Sequence, residues 1–194
     1  MTTAAALPLV TLTGDNLVRL GTNVQPGQTI LITGALGSVG RSAVFAAAEI
    51  GARVIAGVRG RRLDAARQLP GVSEAIAIDN DAEIDKLGPV DCVADAVGGE
   101  LADKLLARVK PGGTFGCFPM REPQNAALHP TIHITIVFGQ LDQLKVATIL
   151  QHYAEAVRDG KLTIPIDRIV PLADAAGAQV AAEKGGIAKI VLTP

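Results

Sequence analysis

Short β-branched apolar runs alternate with longer Ala- and Leu-rich stretches along most of the chain, and this alternation predicts its elements. The first clear run, Thr29-Ile30-Leu31-Ile32-Thr33, follows a Pro26-Gly27 turn and has the continuous apolar middle of a buried strand. Arg41 to Ile50 is Ala-rich and helical, with Gly51 as its stop. The pair then repeats. Arg53 to Val58 predicts a strand, Arg61 to Leu69 a helix closed by Pro70-Gly71, and Ala75 to Ile78 a short strand. Val90 to Asp95 is a further strand, Glu100 to Val109 a helix, and Pro111-Gly112-Gly113 turns into a fifth strand, Thr114 to Phe118. Upstream of all these, Thr13 to Gly21 predicts a short helix ended by its glycine. Downstream, Arg121 to His129 is a polar loop and Thr131 to Phe138 is strongly β-branched. A helix of about five turns fits Leu141 to Arg158. The tail predicts a strand near Ile166 to Val170, a helix from Ala173 to Glu183 and a closing strand from Ile187 to Leu192. Strand alternating with helix requires right-handed crossovers and a parallel sheet. The expected fold is therefore α/β, a doubly wound parallel sheet, in a single domain over residues 1–194.

Composition sharpens this picture. The chain has 194 residues, 48% hydrophobic but only 3% aromatic, so its core is built from Ala, Val, Leu and Ile. Such a core suits parallel strands covered by helices on both faces. A net charge of −1 gives no broad attraction to nucleic acid or to an anionic membrane. Cys92 and Cys117 each lie in an apolar run, without the paired spacing of a structural zinc site, and are expected to be buried. A cytoplasmic protein is the natural expectation. Met1 to Leu12 lacks the basic flank and sustained apolar run of a signal peptide, and no stretch is expected to span a bilayer.

The segment Gly34-Ala35-Leu36-Gly37-Ser38-Val39-Gly40 carries the candidate chemistry. It follows a predicted strand and opens a predicted helix. There, glycines allow a sharp turn, close approach to a diphosphate and tight packing of helix on strand, while the helix N-terminus offers free N–H groups. In that setting the motif points to a Rossmann-type dinucleotide site. A mononucleotide phosphate loop fails on two counts: five residues rather than four separate Gly34 from Gly40, and Arg41 stands where lysine is required.

An NAD-type site places an acidic residue at the end of the second strand, about 20 residues beyond the glycines. Here that place holds Val58-Arg59-Gly60-Arg61-Arg62, with no carboxylate and three guanidinium groups. Arginine grips a phosphate through paired, charge-assisted hydrogen bonds. Arg59 and Arg62 are thus candidates to hold the 2′-phosphate of NADPH (or NADP+).

Several further segments carry a resemblance over almost the whole chain. They are Ala5 to Gly14, Pro26 to Ala35, Asp91 to Gly99, Lys110-Pro111-Gly112-Gly113, Gly160-Lys161-Leu162, Pro171 to Ala175 and Ala188 to Leu192. In this order and spacing the chain resembles the cofactor-binding domain of medium-chain dehydrogenases/reductases, in their zinc-free, quinone oxidoreductase-like branch. The resemblance implies that Gly34, Ala35, Gly37, Ser38, Val39 and Gly40 hold the diphosphate. It implies that Asp95, Ala96, Val97 and Phe118 sit at the ligand-collecting strand ends, that Ile136 and Phe138 approach the nicotinamide, and that Thr13 faces the same cleft. Ordinary core packing is the competing account of the apolar residues among these. Complete members carry an N-terminal domain that supplies the substrate pocket, and nothing here corresponds to it. The chain is therefore expected to be part of a longer parent, with a natural single-domain product as the other possibility. Leu9 stands where zinc members often place a coordinating residue, so no zinc is expected. The stretch from Ile132 to Phe138 resembles the edge strand through which members pair, which implies a homodimer.

No proton donor is legible. Tyr153 lies in the long late helix, and His129, His133 and His152 have no carboxylate or cysteine partner at useful spacing. Two functions stay open on the sequence. One is the NADPH-binding half of an oxidoreductase that reduces a quinone or an activated double bond, with its small-molecule substrate bound in the full-length parent. The other is a nucleotide-binding or regulatory module without chemistry of its own.

Overall fold

The computed structural model describes residues 2–138, 143–186 and 188–194. Six parallel strands form one sheet: β1 (Thr29–Thr33), β2 (Arg53–Val58), β3 (Val72–Ala77), β4 (Val90–Ala94), β5 (Val109–Cys117) and β6 (His133–Ile136), in the order β3-β2-β1-β4-β5-β6. Its helices are α1 (Thr2–Asn16), α2 (Ser38–Ile50), α3 (Leu63–Arg67), α4 (Asp81–Lys86), α5 (Glu100–Leu106), α6 (Gln143–Arg158) and α7 (Ala175–Glu183). Two further strands, β7 (Ile166–Pro171) and β8 (Lys189–Thr193), pair with each other in parallel and stand apart from the large sheet.

Strand β1 shows why the sheet is two-sided. Ile30, Leu31 and Ile32 are all fully buried, yet successive side chains point to opposite faces. Ile30 and Ile32 join Leu17, Val18, Ala43 and Ala47 on one face. Leu31 joins Ile84, Leu105, Leu106 and Phe115 on the other. Alanines on α2 let that helix lie close to the strands. Outside it, α1 and α6 add a third cluster, in which Leu7 and Val10 meet Tyr153, Leu162 and Ile164. Among the described residues no helix is long and apolar enough to cross a membrane.

Several boundaries differ from the sequence expectation. The helix predicted for Thr13 to Gly21 begins at Thr2 and runs on into a wider π-turn, Leu17–Thr22, closed by Asn23 at φ 48°. Pro8 inside it removes only the bond to the Ala4 carbonyl, which lies in an exposed first turn. Gly21 is therefore no helix stop. A Cβ there would sit 2.9 Å from Val137 Cγ2, so its role is close packing. The turn predicted at Pro111-Gly112-Gly113 lies within β5 as an irregularity, because the register against β4 passes from Val90↔Val109 to Cys92↔Thr114. The predicted helix over Arg61 to Leu69 shortens to a 3-10 turn, Gly60–Arg62, and α3. Helix α4 was not expected. Its cap is Asn80, whose side-chain oxygen accepts from Ala82 N–H at 3.0 Å. Of the predicted late elements, residues 141–142 and 187 lie outside the described residues.

Candidate functional site

In the strand order β3-β2-β1-β4-β5-β6 the chain reverses direction of travel between β1 and β4, and the loops after these two strands diverge. A crevice opens at such a switch point, at the carboxyl ends of the strands. The loop after β1 forms its floor. Gly34 adopts φ +62°, the left-handed region that favours glycine, and its carbonyl accepts from Gly37 N–H at 2.8 Å. A Cβ on Gly40 would stand 2.1 Å from Gly34 O and 2.7 Å from Ala35 Cα, so the first turn of α2 packs directly on the loop backbone. Gly37 precedes α2 with an extended backbone and offers no side-chain cap. The first N–H groups of α2, on Ser38, Val39 and Gly40, thus have neither intrahelical partners nor a side-chain cap. Arg41, which excluded the mononucleotide reading, turns back: its Nε donates to the Leu36 carbonyl at 3.0 Å and braces the loop. Burial lowers the pKa of its guanidinium below the ordinary value.

Two adjoining cavities occupy this crevice. One of about 230 Å³ lies over the helix tip, against Gly34, Gly37, Ser38, Val39, Gly40 and Ala96. The other, about 500 Å³, shares Gly34 and Gly37 and extends past Val97 to Arg59, Arg61 and Arg62. Among the described residues no hydrogen bond or ion pair engages these three guanidinium groups. Lys184, just beyond α7, lines the same wall, and Gly186 borders both cavities.

The structure therefore brings Gly34, Gly37, Ser38, Val39, Gly40, Arg59, Arg62, Ala96 and Val97 to one place. It separates others. Ala35 is fully buried beneath the loop. Asp95 is also fully buried. Its Oδ1 accepts from the Thr33 hydroxyl at 2.6 Å and from Val97 N–H at 3.0 Å, and its Oδ2 from Gly98 N–H at 3.0 Å. The Thr33 hydroxyl in turn accepts from Ala96 N–H at 2.8 Å. Asp95 thus shapes the crevice wall from behind, and Arg121 clamps the same wall by donating to the Val97 carbonyl. Thr13, half-buried, spends its hydroxyl on the Leu9 carbonyl at 2.6 Å. Thr13, Phe118, Ile136 and Phe138 line neither cavity; Phe118 packs on the core, while Ile136 and Phe138 are 45% and 77% exposed along the sheet edge.

Three charged residues that line the larger cavity had not been singled out as site residues. Arg61 lies in the basic turn itself. Lys184 comes from the far end of the chain. Asp79, at the end of β3, supplies the carboxylate that the end of β2 lacks, although its Oδ1 is engaged by Gly60 N–H at 2.7 Å. Among the described residues no His, Tyr or Cys lines either cavity.

This fold and crevice define a Rossmann-type α/β domain. A family model described as zinc-binding dehydrogenase matches residues 71–192, and the chain belongs to that family of medium-chain dehydrogenases/reductases, as the sequence resemblance implied. The quinone oxidoreductase from Coxiella burnetii superimposes with a TM-score of 0.84 at 25% identity, over 98% of this chain and 60% of that one. CurA from Vibrio vulnificus, solved in complex with NADPH, shares the fold with a TM-score of 0.78 at 16% identity, over 96% of this chain and 62% of that one. The spectinabilin polyketide synthase system protein NorB from Streptomyces orinoci is 30% identical over 202 residues, 98% of this chain and 9% of that protein. The chain thus spans about 60% of the oxidoreductase and a small part of the synthase.

The family's name carries a zinc ion, which would need a set of His, Cys, Asp or Glu donors. Among the described residues no group of three or more His, Cys, Asp or Glu is placed to hold a metal ion. Burial pushes the thiols of Cys92 and Cys117 up to about 11 and about 12, against the thiolate that zinc requires. These residues do not fit a zinc site.

Proposed function

We infer that this chain is the NADPH-binding domain of an oxidoreductase that transfers hydride to a quinone or an activated double bond. One observation carries the reading: unengaged α2 N–H groups and unpaired arginines line adjoining cavities at the switch point of the sheet. The backbone amides of Ser38, Val39 and Gly40 hold the diphosphate, and Arg59 and Arg62 take the 2′-phosphate. Ala96 lies beside the diphosphate and Val97 forms the wall between it and the arginines. NADPH supplies the hydride; the chain's part is to bind and orient it and to keep water from the dinucleotide's buried side. The resemblance to a quinone oxidoreductase supports the substrate class, and the NADPH-bound fold relative supports the cofactor.

A guanidinium–phosphate hydrogen bond contributes about 1.5–3 kcal/mol, so one well-placed arginine favours NADPH over NADH by roughly ten- to a hundredfold. Calorimetric titration tests this: NADPH binds more tightly, and Arg59→Ala narrows the gap. Equal affinities for the two nucleotides would remove the claim.

The free side of β6 supports a homodimer in which two sheets join edge to edge, because an uncovered β-branched edge otherwise invites uncontrolled pairing. The cytoplasm suits two buried free thiols. A second reading, a nucleotide-binding module without chemistry, is favoured by the lack of any His, Tyr or Cys along the crevice among the described residues. Hydride transfer by the full-length parent, measured as NADPH oxidation with a quinone, separates the two.

A further inference from the structure

Asp79 is the one acidic side chain among the described residues of the larger cavity, where it faces Arg59, Arg61, Arg62 and Lys184. On charge alone it opposes an anionic ligand. Its geometry gives it another task. The basic wall begins as a tight 3-10 turn, Gly60–Arg62, and the residue before it, Arg59, supplies no side-chain cap. The first N–H of that turn, on Gly60, would lack a partner in the protein. Asp79 Oδ1 accepts it at 2.7 Å, across nineteen positions of sequence. Asp79 is itself held on both sides. Ile78 N–H donates to the Val58 carbonyl at 2.9 Å, and Asn80 caps α4. The carboxylate is therefore a fixed bracket between the end of β3 and the turn that carries the arginines.

We propose that Asp79 is a positioning residue for cofactor specificity: by holding the Gly60 amide it fixes the backbone from which Arg59, Arg61 and Arg62 reach the 2′-phosphate. This rests on the NADPH reading above. The bracket keeps the guanidinium groups converged on one spot before the ligand arrives, which reduces the ordering that binding would otherwise require. The gain appears only for a nucleotide with a 2′-phosphate.

The test is the ratio of NADH to NADPH dissociation constants, measured by calorimetry on the full chain and three variants, with melting followed by circular dichroism. Asp79→Asn keeps an oxygen acceptor and removes the charge, so the ratio stays at or above that of the parent. Asp79→Ala removes the acceptor, and the ratio falls about tenfold, the equivalent of one modest hydrogen bond. Asp79→Glu keeps the charge and displaces the acceptor by one methylene, so its ratio falls too, and it serves should the alanine variant not fold. A ratio that rises in Asp79→Ala would mean that the carboxylate acts by repulsion alone, and would overturn the proposal. So would an equal loss of both nucleotides, or an equal fall in Asp79→Asn. Failure of the parent chain to bind either nucleotide is a different result: it removes the NADPH reading itself.

Discussion

The close approach at Gly40 gives the strongest expectation about the loop. A methyl group at this position would stand 2.1 Å from the Gly34 carbonyl oxygen and 2.7 Å from both Gly34 C and Ala35 Cα. All three are backbone atoms, so no side chain can swing aside. Either α2 lifts from β1 or the loop after β1 deforms. Inserting a methyl group into a packed region costs about 1–3 kcal/mol, and rigid backbone neighbours place Gly40→Ala at the upper end. In a domain of this size each kcal/mol shifts the melting temperature by about 2–4 °C, so calorimetric melting should show a fall of roughly 6–12 °C. Nucleotide affinity falls with it, because the amides that cradle the diphosphate move. Gly37→Ala is the matched control. Its Cβ would meet only Gly34 O, at 3.2 Å, and would project where a ligand approaches the helix tip. It should lower affinity while leaving the melting temperature nearly unchanged. An unchanged melting temperature in Gly40→Ala would refute the packing argument.

Three more outcomes follow from other parts of the molecule. The Tyr153 hydroxyl, buried, lies 3.0 Å from Asp15 Oδ1 and 3.3 Å from the Ser42 carbonyl, tying α6 to α1 and α2, so Tyr153→Phe should cost about 1–3 kcal/mol in chemical denaturation. Burial first, and the Asp15 carboxylate after it, raise the pKa of this phenol above its ordinary value of 10; its neutral form is favoured in the folded state, and the stability it contributes is present below pH 10 and lost at higher pH. The thiols of Cys92 and Cys117, raised from 9.0 to about 11 and about 12, should resist alkylation at pH 8 until the protein unfolds, and their share of stability is lost as pH rises through those values. Rapid native labelling would contradict their burial. Light scattering should report a dimer, and a monomer would contradict pairing through β6.

The strands were legible because burial on both faces turns each into a continuous apolar run, as in Ile30-Leu31-Ile32 and Val54-Ile55-Ala56. The glycine loop was legible because its constraints are local: Gly34 and Gly40 meet within six positions. Helix α1 was hidden by Pro8, whose disruption falls on an exposed turn. Helix α4 is short and polar, with Ile84 its one buried residue. Its Asn80–Glu83 spacing was nonetheless a readable start signal. Asp95 carries an ambiguous signal: an acidic residue at a strand end has the same sequence signature whether it faces a ligand or accepts neighbouring N–H groups, as this one does. Asp79 and Lys184 carried no local signal, since their place in the crevice depends on neighbouring β3 and on the return of the chain after α7.

On this reading the tip of α2 and the turn after β2 hold the diphosphate and the 2′-phosphate of one dinucleotide. A crystal structure with millimolar NADPH tests it most directly. The diphosphate should lie over Ser38, Val39 and Gly40, and the 2′-phosphate within hydrogen-bond reach of Arg59 or Arg62. Nucleotide bound elsewhere, or a crevice that stays empty at that concentration, would contradict it.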